Sequence, residues 1–336
     1  MSLEAISLIN AGIIAVSIQG SALLWRKQGH KGICLFMLLT AFAATMNIVE
    51  SYQLYFSIFN ITPVFQLLFG PALYLACTGL TRKEFSALDS LHFLPALISL
   101  AFTSYIQAII ALGTLSRIGY SVLTAHKLNS YKKSLDSERS DSDEYSFQWM
   151  IWTILLTALF NLFDIIRLNL QPYITSEVNL FGQAFNNSLW LVVIIFITYK
   201  LSTQEHSPAI TNKTIDTSQA KEDPEQYSAI YTAVDNQVKS QQLFRIERLT
   251  LSQLSGDLGL QQRDVSRAIN LNANKTFNGY INGLRVDYVC NLLRSGVQQS
   301  VTELAFEAGF SSKAVFNRSF KEFTGMTPSQ YKAQQE

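Results

Sequence analysis

The distribution of hydrophobic residues divides the 336-residue chain into two parts with different patterns. The first part contains long apolar runs in which charged residues are almost absent, whereas the last hundred or so residues alternate apolar and polar positions with a helical period. Apolar runs of about twenty residues are typical of transmembrane helices, and a helix bundle in water would need charged outer faces. The pattern predicts seven transmembrane helices, at residues 1–25, 32–48, 62–80, 91–105, 106–125, 149–170 and 181–200.

Basic residues between the apolar runs predict the orientation of the bundle. The first, third and fifth links and the end of the last run contain Lys or Arg, whereas the other links contain neither. Because positive links favour the cytoplasmic side, we expect the N-terminus outside and the C-terminal part in the cytoplasm, at a bacterial inner membrane. These basic residues are Arg26, Lys27, Lys31, Arg82, Lys83, Lys127, Lys132, Lys133, Arg139 and Lys200.

The pattern near the C-terminus predicts two short helices joined by a tight turn. Leu304 and Ala305 form the apolar face of the first helix, and Gly309 supplies the positive φ of the turn. Phe316 and Phe320 repeat at helical spacing in the second helix. Its outer face carries the polar and basic residues Lys313, Asn317, Arg318 and Lys321. A helix-turn-helix with such a face is shaped to enter the major groove of DNA.

An upstream segment repeats this design. Leu254 and Leu258 mark a first helix, Gly259 a turn, and Val265 and Ile269 the inner face of a second helix. The outward face of that second helix is predicted to hold Gln262, Arg263, Ser266 and Arg267.

A long amphipathic segment, residues 277–293, is predicted to link the two helix-turn-helix units rigidly. Arg285 within it is interpreted as a structural or phosphate contact rather than a reader of bases.

Residues from about 240 to 333 resemble the DNA-binding domain of the AraC/XylS family of bacterial transcription regulators. The residues that match the family signature are Leu254, Leu258, Gly259, Ser266, Arg267, Tyr280, Ile281, Arg285, Leu292, Leu293, Ala305, Gly309, Phe310, Ser312, Phe316, Arg318, Phe320, Lys321, Gly325, Thr327, Pro328 and Tyr331. Residues 69–81 and 91–95 also resemble the seven-helix membrane half of some AraC-type regulators, over a shorter stretch.

The resemblance implies double-stranded DNA as a partner. The implied DNA-contacting positions are Gln262, Arg263, Ser266, Arg267, Lys313, Asn317, Arg318 and Lys321. Related soluble regulators sense a small molecule through a separate N-terminal half, often with dimerisation. By analogy, a small-molecule ligand and a homodimer are expected here, in addition to the lipid bilayer.

The predicted fold class is all-α, with a polytopic seven-helix transmembrane bundle and a cytoplasmic all-helical domain that contains two helix-turn-helix units. The bundle is assigned to residues 1–201 and the DNA-binding domain to residues 226–336. Residues 202–225 are polar and lack aromatic side chains, which predicts a flexible linker.

Three ionisable residues, Arg117, Asp164 and Arg167, lie inside apolar runs, where charge is costly. Asp164 and Arg167 are three positions apart and can therefore pair on one helix face. The sequence leaves two roles open for these residues. They line a pocket that senses a signal, or they form hydrogen bonds that hold the bundle together.

Composition supports the membrane interpretation and indicates no enzyme. Charged residues are 15% of the chain, against about 25% in soluble proteins. The sequence shows no nucleophile–base pattern, phosphate-binding Gly loop or metal-ligand spacing, so no cofactor is expected. Two alternatives stay open: a receptor or transporter-like protein whose C-terminal domain is a protein-interaction module, and a DNA-binding protein whose bundle is only an anchor.

Overall fold

In a computed structural model, the protein is described over residues 3–52, 62–81, 86–170, 173–204 and 224–335. The secondary structure of these residues is helical, apart from one isolated bridge between Arg139 and Thr250. They form two compact units. The first comprises Met1–Ser130 and Phe147–Ala209, and the second comprises Tyr131–Ser146 and Ile210–Glu336. Most of the predicted linker lies outside the described residues.

The first unit is a bundle of long apolar helices. They are α1 (Leu3–Leu24), α2 (Lys31–Ser51), α3 (Thr62–Thr81), α5 (Ile106–Glu138, which continues into the second unit), α6 (Gln148–Leu170) and α7 (Ser176–Thr203). These six helices are long and apolar enough to cross a membrane.

The predicted fourth span, residues 91–105, is not a long helix. The chain forms a 3-10 helix (Ala87–Phe93), a short helix α4 (Leu94–Ser99) and a second 3-10 turn (Leu100–Phe102). A capping box between Ser86 and Asp89 begins the 3-10 helix, and Pro95 lies in the first turn of α4, where its missing N–H has no cost. The segment Ala87–Phe102 is therefore helical but consists of three short helices in succession, and the count of seven spans stays a prediction.

This short segment nevertheless reverses the direction of the chain. Ala96 of α4 packs with Val64 at the start of α3 and Ile109 at the start of α5. Earlier in the segment, His92 contacts Tyr74, which lies later in α3. The segment is therefore antiparallel to α3, and α3 and α5 run in the same direction.

The surface of the first unit is apolar and part of its interior is polar. Leu8, Leu115 and Trp152 are 74%, 67% and 73% exposed. In contrast, Asn10 and Ser17 are buried. A protein folded in water has the opposite arrangement, because apolar burial drives its folding.

The second unit contains seven helices that begin within residues 224–335. They are α8 (Pro224–Ser240), α9 (Leu251–Leu258), α10 (Gln262–Ala273), α11 (Phe277–Arg294), α12 (Val301–Glu307), α13 (Lys313–Thr324) and α14 (Pro328–Ala333). Helix α11 contributes to two hydrophobic cores. Ile281 packs with Val265 and Ile269 of α10, whereas Val289 packs with Phe316 of α13. Helix α11 therefore connects the two helix-turn-helix parts of the second unit, as predicted.

Residues 131–146 also belong to the second unit, which the sequence pattern did not indicate. They include the end of α5 and a 3-10 turn (Ser142–Tyr145). The amide of Ser140 donates to the carbonyl of Leu249 at 3.0 Å, and the side chains of Asn278 and Asn282 donate to the carbonyl of Ser140 at 2.8 and 3.0 Å. We call residues 131–146 the docked segment.

Candidate nucleic-acid interface

The first helix-turn-helix is formed by α9 and α10. The Thr250 hydroxyl accepts a hydrogen bond from the Gln253 amide and so caps α9. Gly259 ends α9 with φ of 66°, in the left-handed region that favours glycine. The turn then directs α10 so that Val265 and Ile269 enter the core.

The outer face of α10 is smaller than predicted. Gln262 and Arg263 are exposed, whereas Arg267 is half-buried, with its guanidinium 5.5 Å from the centre of the Tyr227 ring. Ser266 is buried, with 5% of its surface exposed, so its prediction as an outward residue was wrong. The reason is helical geometry, because Ser266 is next to Val265 and three positions before Ile269, both of which face the core.

The second helix-turn-helix is formed by α12 and α13. A capping box between Ser300 and Glu303 begins α12, and its hydrogen bonds lower the pKa of the Glu303 carboxyl. Gly309 forms the turn with φ of 93°, and a Cβ at this position would lie 2.7 Å from the carbonyl carbon of Arg245. The Ser312 hydroxyl then caps α13 by accepting from the Val315 amide.

Helix α13 presents the predicted basic face. Val315, Phe316 and Phe320 are buried in the second core. The four predicted contact residues on the opposite side are exposed: Lys313, Asn317, Arg318 and Lys321. Together with Gln262 and Arg263 of α10, they give the unit two polar helix faces, fixed relative to each other by α11.

Arg285 has a structural role in α11. Its guanidinium donates to the carbonyls of Phe244 and Ile246 at 2.7 and 2.8 Å, and to the Ser140 hydroxyl at 3.3 Å. Burial lowers the pKa of Arg285 to about 10, so the side chain stays protonated at neutral pH. Because only 1% of its surface is exposed, it is not available to DNA phosphates in this arrangement.

One carboxylate in the docked segment faces the predicted base-reading residues. Asp143 Oδ1 lies 3.1 Å from Arg318 Nη1 and 2.6 Å from Lys132 Nζ. Asp143 is not among the residues predicted from the sequence, although it lies in the acidic stretch that also contains Asp141 and Glu144. Nothing in local periodicity relates Asp143 to Arg318 of α13, which lies 175 positions later.

The three candidate sensing residues of the first unit line one cavity of about 330 Å³. Arg167 forms an ion pair with Asp164 at 2.8 Å. The Arg117 guanidinium donates to the side-chain oxygens of Gln66 and Asn161. The structure therefore brings Arg117, Asp164 and Arg167 together. Within the described ranges, no group of three or more His, Cys, Asp or Glu residues is arranged to hold a metal ion.

Comparison with known proteins concerns the second unit. A family model described as "Helix-turn-helix domain" matches residues 254–334. An uncharacterized HTH-type transcriptional regulator of Staphylococcus aureus strain COL is 34% identical over 86 residues, which are 26% of this chain and 11% of that protein. The melibiose operon regulatory protein of Escherichia coli K12 is 33% identical over 87 residues, which are 23% of this chain and 28% of that protein.

Among solved structures, a protein of unknown function from Listeria innocua is similar to this chain. It is 25% identical, with a TM-score of 0.29, and the similarity covers 32% of this chain and 98% of that one. The chain covers only 11% and 28% of the lengths of the two regulators named above. The family model matches residues within the second unit.

Proposed function

We propose that this chain, whose C-terminal part carries an AraC-type helix-turn-helix domain, is a membrane-anchored transcription regulator that binds specific DNA sequences. The observation that carries the proposal is the pair of exposed faces on α10 and α13, held by one helix, α11. Two helices fixed in this way enter successive major grooves on one face of DNA, about ten base pairs apart. Arg263 and Arg318 can bond guanine O6 and N7 together.

The apolar unit supports anchoring in a lipid bilayer. Six described helices have the length and composition of transmembrane spans, and large apolar side chains cover the surface of the unit. Exposing this surface to water would be costly, whereas lipid tails accommodate it. The bilayer is therefore a partner of the chain in this proposal.

The distribution of basic residues supports the proposed orientation. The Lys27 amine donates to the carbonyls of Leu201 and Ser202 at 2.8 and 2.6 Å, so the first link and the end of α7 lie at the same end of the unit. The first link contains three basic residues and the end of α7 contains Lys200, and basic residues favour the cytoplasm. The DNA-binding domain follows α7 and so lies in the cytoplasm, where DNA is.

Reporter fusions test this orientation in living cells. A reporter that is active only outside the cytoplasm is fused after Tyr173 or, as the matched partner, after Lys200. We expect activity at Tyr173 and none at Lys200. The reverse result would place the DNA-binding domain outside the cytoplasm and end the proposal. The homodimer expected from the resemblance stays a prediction.

A further inference from the structure

The cavity in the first unit has the size and lining of a small-molecule site. Its volume of about 330 Å³ lies at the lower end of the range of roughly 300–1,000 Å³ that is typical of ligand pockets. Five long helices, α1, α2, α3, α6 and α7, contribute side chains to it, and Arg117 enters it from α5. The wall combines polar groups with aromatic rings, among them Phe69 and Trp190, which stack with a centroid distance of 6.2 Å.

The cavity contains one more positive than negative charge. Arg117 and Arg167 line it, and Asp164 is the one carboxylate among the described lining residues. Asp164 is paired with Arg167. The hydrogen bonds of Arg117 go to the amide oxygens of Gln66 and Asn161, which are neutral. Asp164 also acts electrostatically on Arg117, but this one carboxylate serves two guanidinium groups, so the cavity keeps a net positive charge. A net charge inside an apolar unit is costly, and an anion placed in the cavity would remove that cost.

A buried hydrogen-bond donor in the same cavity has no acceptor. Asn10 lines the cavity, is 1% exposed, and its Nδ2 makes no hydrogen bond in the described residues. Its Oδ1 is occupied, because it accepts from Asn187 Nδ2 at 3.0 Å. Buried polar groups normally find a partner, so Asn10 Nδ2 indicates an acceptor that the chain itself does not provide.

A purely structural role accounts for only part of this arrangement. Hydrogen bonds such as Asn187 to Asn10 hold α7 to α1, and the Asp164–Arg167 pair is satisfied within the bundle. Neither interaction balances the extra positive charge of the cavity or provides an acceptor for Asn10 Nδ2. An anion would meet both needs, because its charge would balance the cavity and its oxygen atoms could accept from Asn10.

We propose that this cavity binds a small monoanion, a carboxylate or phosphodiester with a short apolar part. The anionic group compensates Arg117 and accepts from Asn10, and the apolar part lies against the Phe69–Trp190 wall. Thr40 and Trp190 lie at the middle of α2 and α7, and the other lining residues of the five helices lie in the first halves of α1, α3 and α7 and the last halves of α2 and α6. If the orientation of the proposed function holds, this end of the unit faces away from the cytoplasm.

Binding is measured on the full chain in nanodiscs of zwitterionic phosphatidylcholine, without DNA. The probes are hexanoate, hexanamide and hexylamine, which have similar shapes but differ in charge. We expect hexanoate to raise the thermal unfolding midpoint in a saturable way, by about 5 °C at a hundred times its Kd. Hexanamide and hexylamine should leave the midpoint unchanged. Equal effects of hexanoate and hexanamide would overturn the proposal.

Substitutions of cavity residues test whether hexanoate raises the unfolding midpoint by binding in the cavity. Arg117→Gln should abolish the shift caused by hexanoate, Arg117→Lys should retain part of it, and Asn10→Ala should weaken it. Lys133→Gln removes a positive charge from an exposed residue outside the cavity and should respond like the wild type. An unchanged response of both Arg117→Gln and Asn10→Ala would overturn the proposal, and Asn10→Ala remains informative if Arg117→Gln does not fold.

A second arm identifies the source of the anion. Nanodiscs that contain phosphatidylglycerol present a phosphodiester in the lipid itself. If they raise the midpoint through Arg117 and block the effect of hexanoate, a lipid headgroup occupies the cavity. If neither hexanoate nor phosphatidylglycerol gives a shift that depends on Arg117, the proposal is wrong. Because DNA is absent, this failure would leave the proposed DNA binding untouched.

Discussion

The Asp143 carboxylate lies 3.1 Å from the guanidinium of Arg318, on the face of α13 that is expected to meet DNA. Both residues belong to the second unit, and Asp143 reaches α13 from the docked segment, which continues from α5. A DNA phosphate or guanine would need the same guanidinium. We therefore expect Asp143 and DNA to compete for Arg318.

Removal of this competitor should strengthen DNA binding. We expect Asp143→Asn in the full chain to bind its DNA about two- to fivefold more tightly, because an exposed ion pair contributes about 0.2–1 kcal/mol. The gain should shrink as salt is added, since salt screens exposed charges. Fluorescence anisotropy with labelled DNA at two salt concentrations measures both effects.

Glu138→Gln is the matched control for this change. It removes one negative charge from the docked segment at a position that forms no ion pair with α13 in the described residues. An equal gain from both substitutions would mean that net charge, and not the Arg318 contact, limits the affinity.

Gly309 and Gly259 occupy equivalent turns but should tolerate alanine differently. Both have positive φ, which costs an L-residue about 1–2 kcal/mol. At Gly309, an added Cβ would also collide with the main chain of Arg245, whereas at Gly259 it would meet nothing within 4 Å. We expect Gly309→Ala to destabilise the second helix-turn-helix clearly more than Gly259→Ala destabilises the first.

Hydrogen exchange measures this difference locally. In Gly309→Ala, peptides from α12 and α13 should exchange faster than the same peptides of the wild type. This acceleration should be larger than the acceleration of peptides from α9 and α10 in Gly259→Ala. Similar acceleration in the two variants would show that the contact with Arg245 does not constrain the turn.

Arg285 should be essential for the fold of the second unit. Arg285→Met would leave the buried carbonyl of Phe244 and the partly buried carbonyl of Ile246 without their donor, and an orphaned buried group costs about 1–3 kcal/mol. We expect faster hydrogen exchange in α11 and release of the docked segment. Arg294→Met, at the exposed end of α11, is the control and should leave the exchange of the docked segment unchanged.

Local patterns explain why much of the second unit could be predicted from sequence. Gly259, Gly309 and the apolar spacing of Val265, Ile269, Phe316 and Phe320 determine the turns and inner faces through interactions over a few positions. Ser266 was predicted to face outward because it lies four positions after Gln262 in the sequence. Its spacing from Val265 and Ile269, which are buried, places it toward the core instead.

Other features depend on contacts between distant parts of the chain. The division of the fourth predicted span into short helices follows from a capping box and a proline inside an apolar run, and hydrophobicity alone does not reveal this division. The docking of Ser140 on Asn278 and Asn282 joins residues 138 and 142 positions apart, and the contact between Asp143 and Arg318 joins residues 175 positions apart. Hydrophobic periodicity contains no information about such pairs.

The two basic helices should read separate parts of the DNA site. We expect Arg263→Ala to relax base preference in one recognition block and Arg318→Ala in the other, each by about 1–3 kcal/mol at the affected position. Ser266→Ala is the control in α10, because the buried Ser266 should leave base preference unchanged. Selection from a randomised DNA library at fixed salt measures the base preference at each position of the site. If both Arg variants weaken all sequences alike, these residues contact phosphates only.

The most direct test of a membrane-anchored, sequence-specific regulator combines lipid and DNA in one measurement. The full chain is reconstituted in vesicles, washed with alkaline carbonate, incubated with a randomised DNA library and floated through a density gradient. The account predicts that the protein floats with the lipid and that the DNA floating with it is enriched in two short blocks about ten base pairs apart. Protein left at the bottom of the gradient, or floating DNA without any enriched sequence, would contradict it.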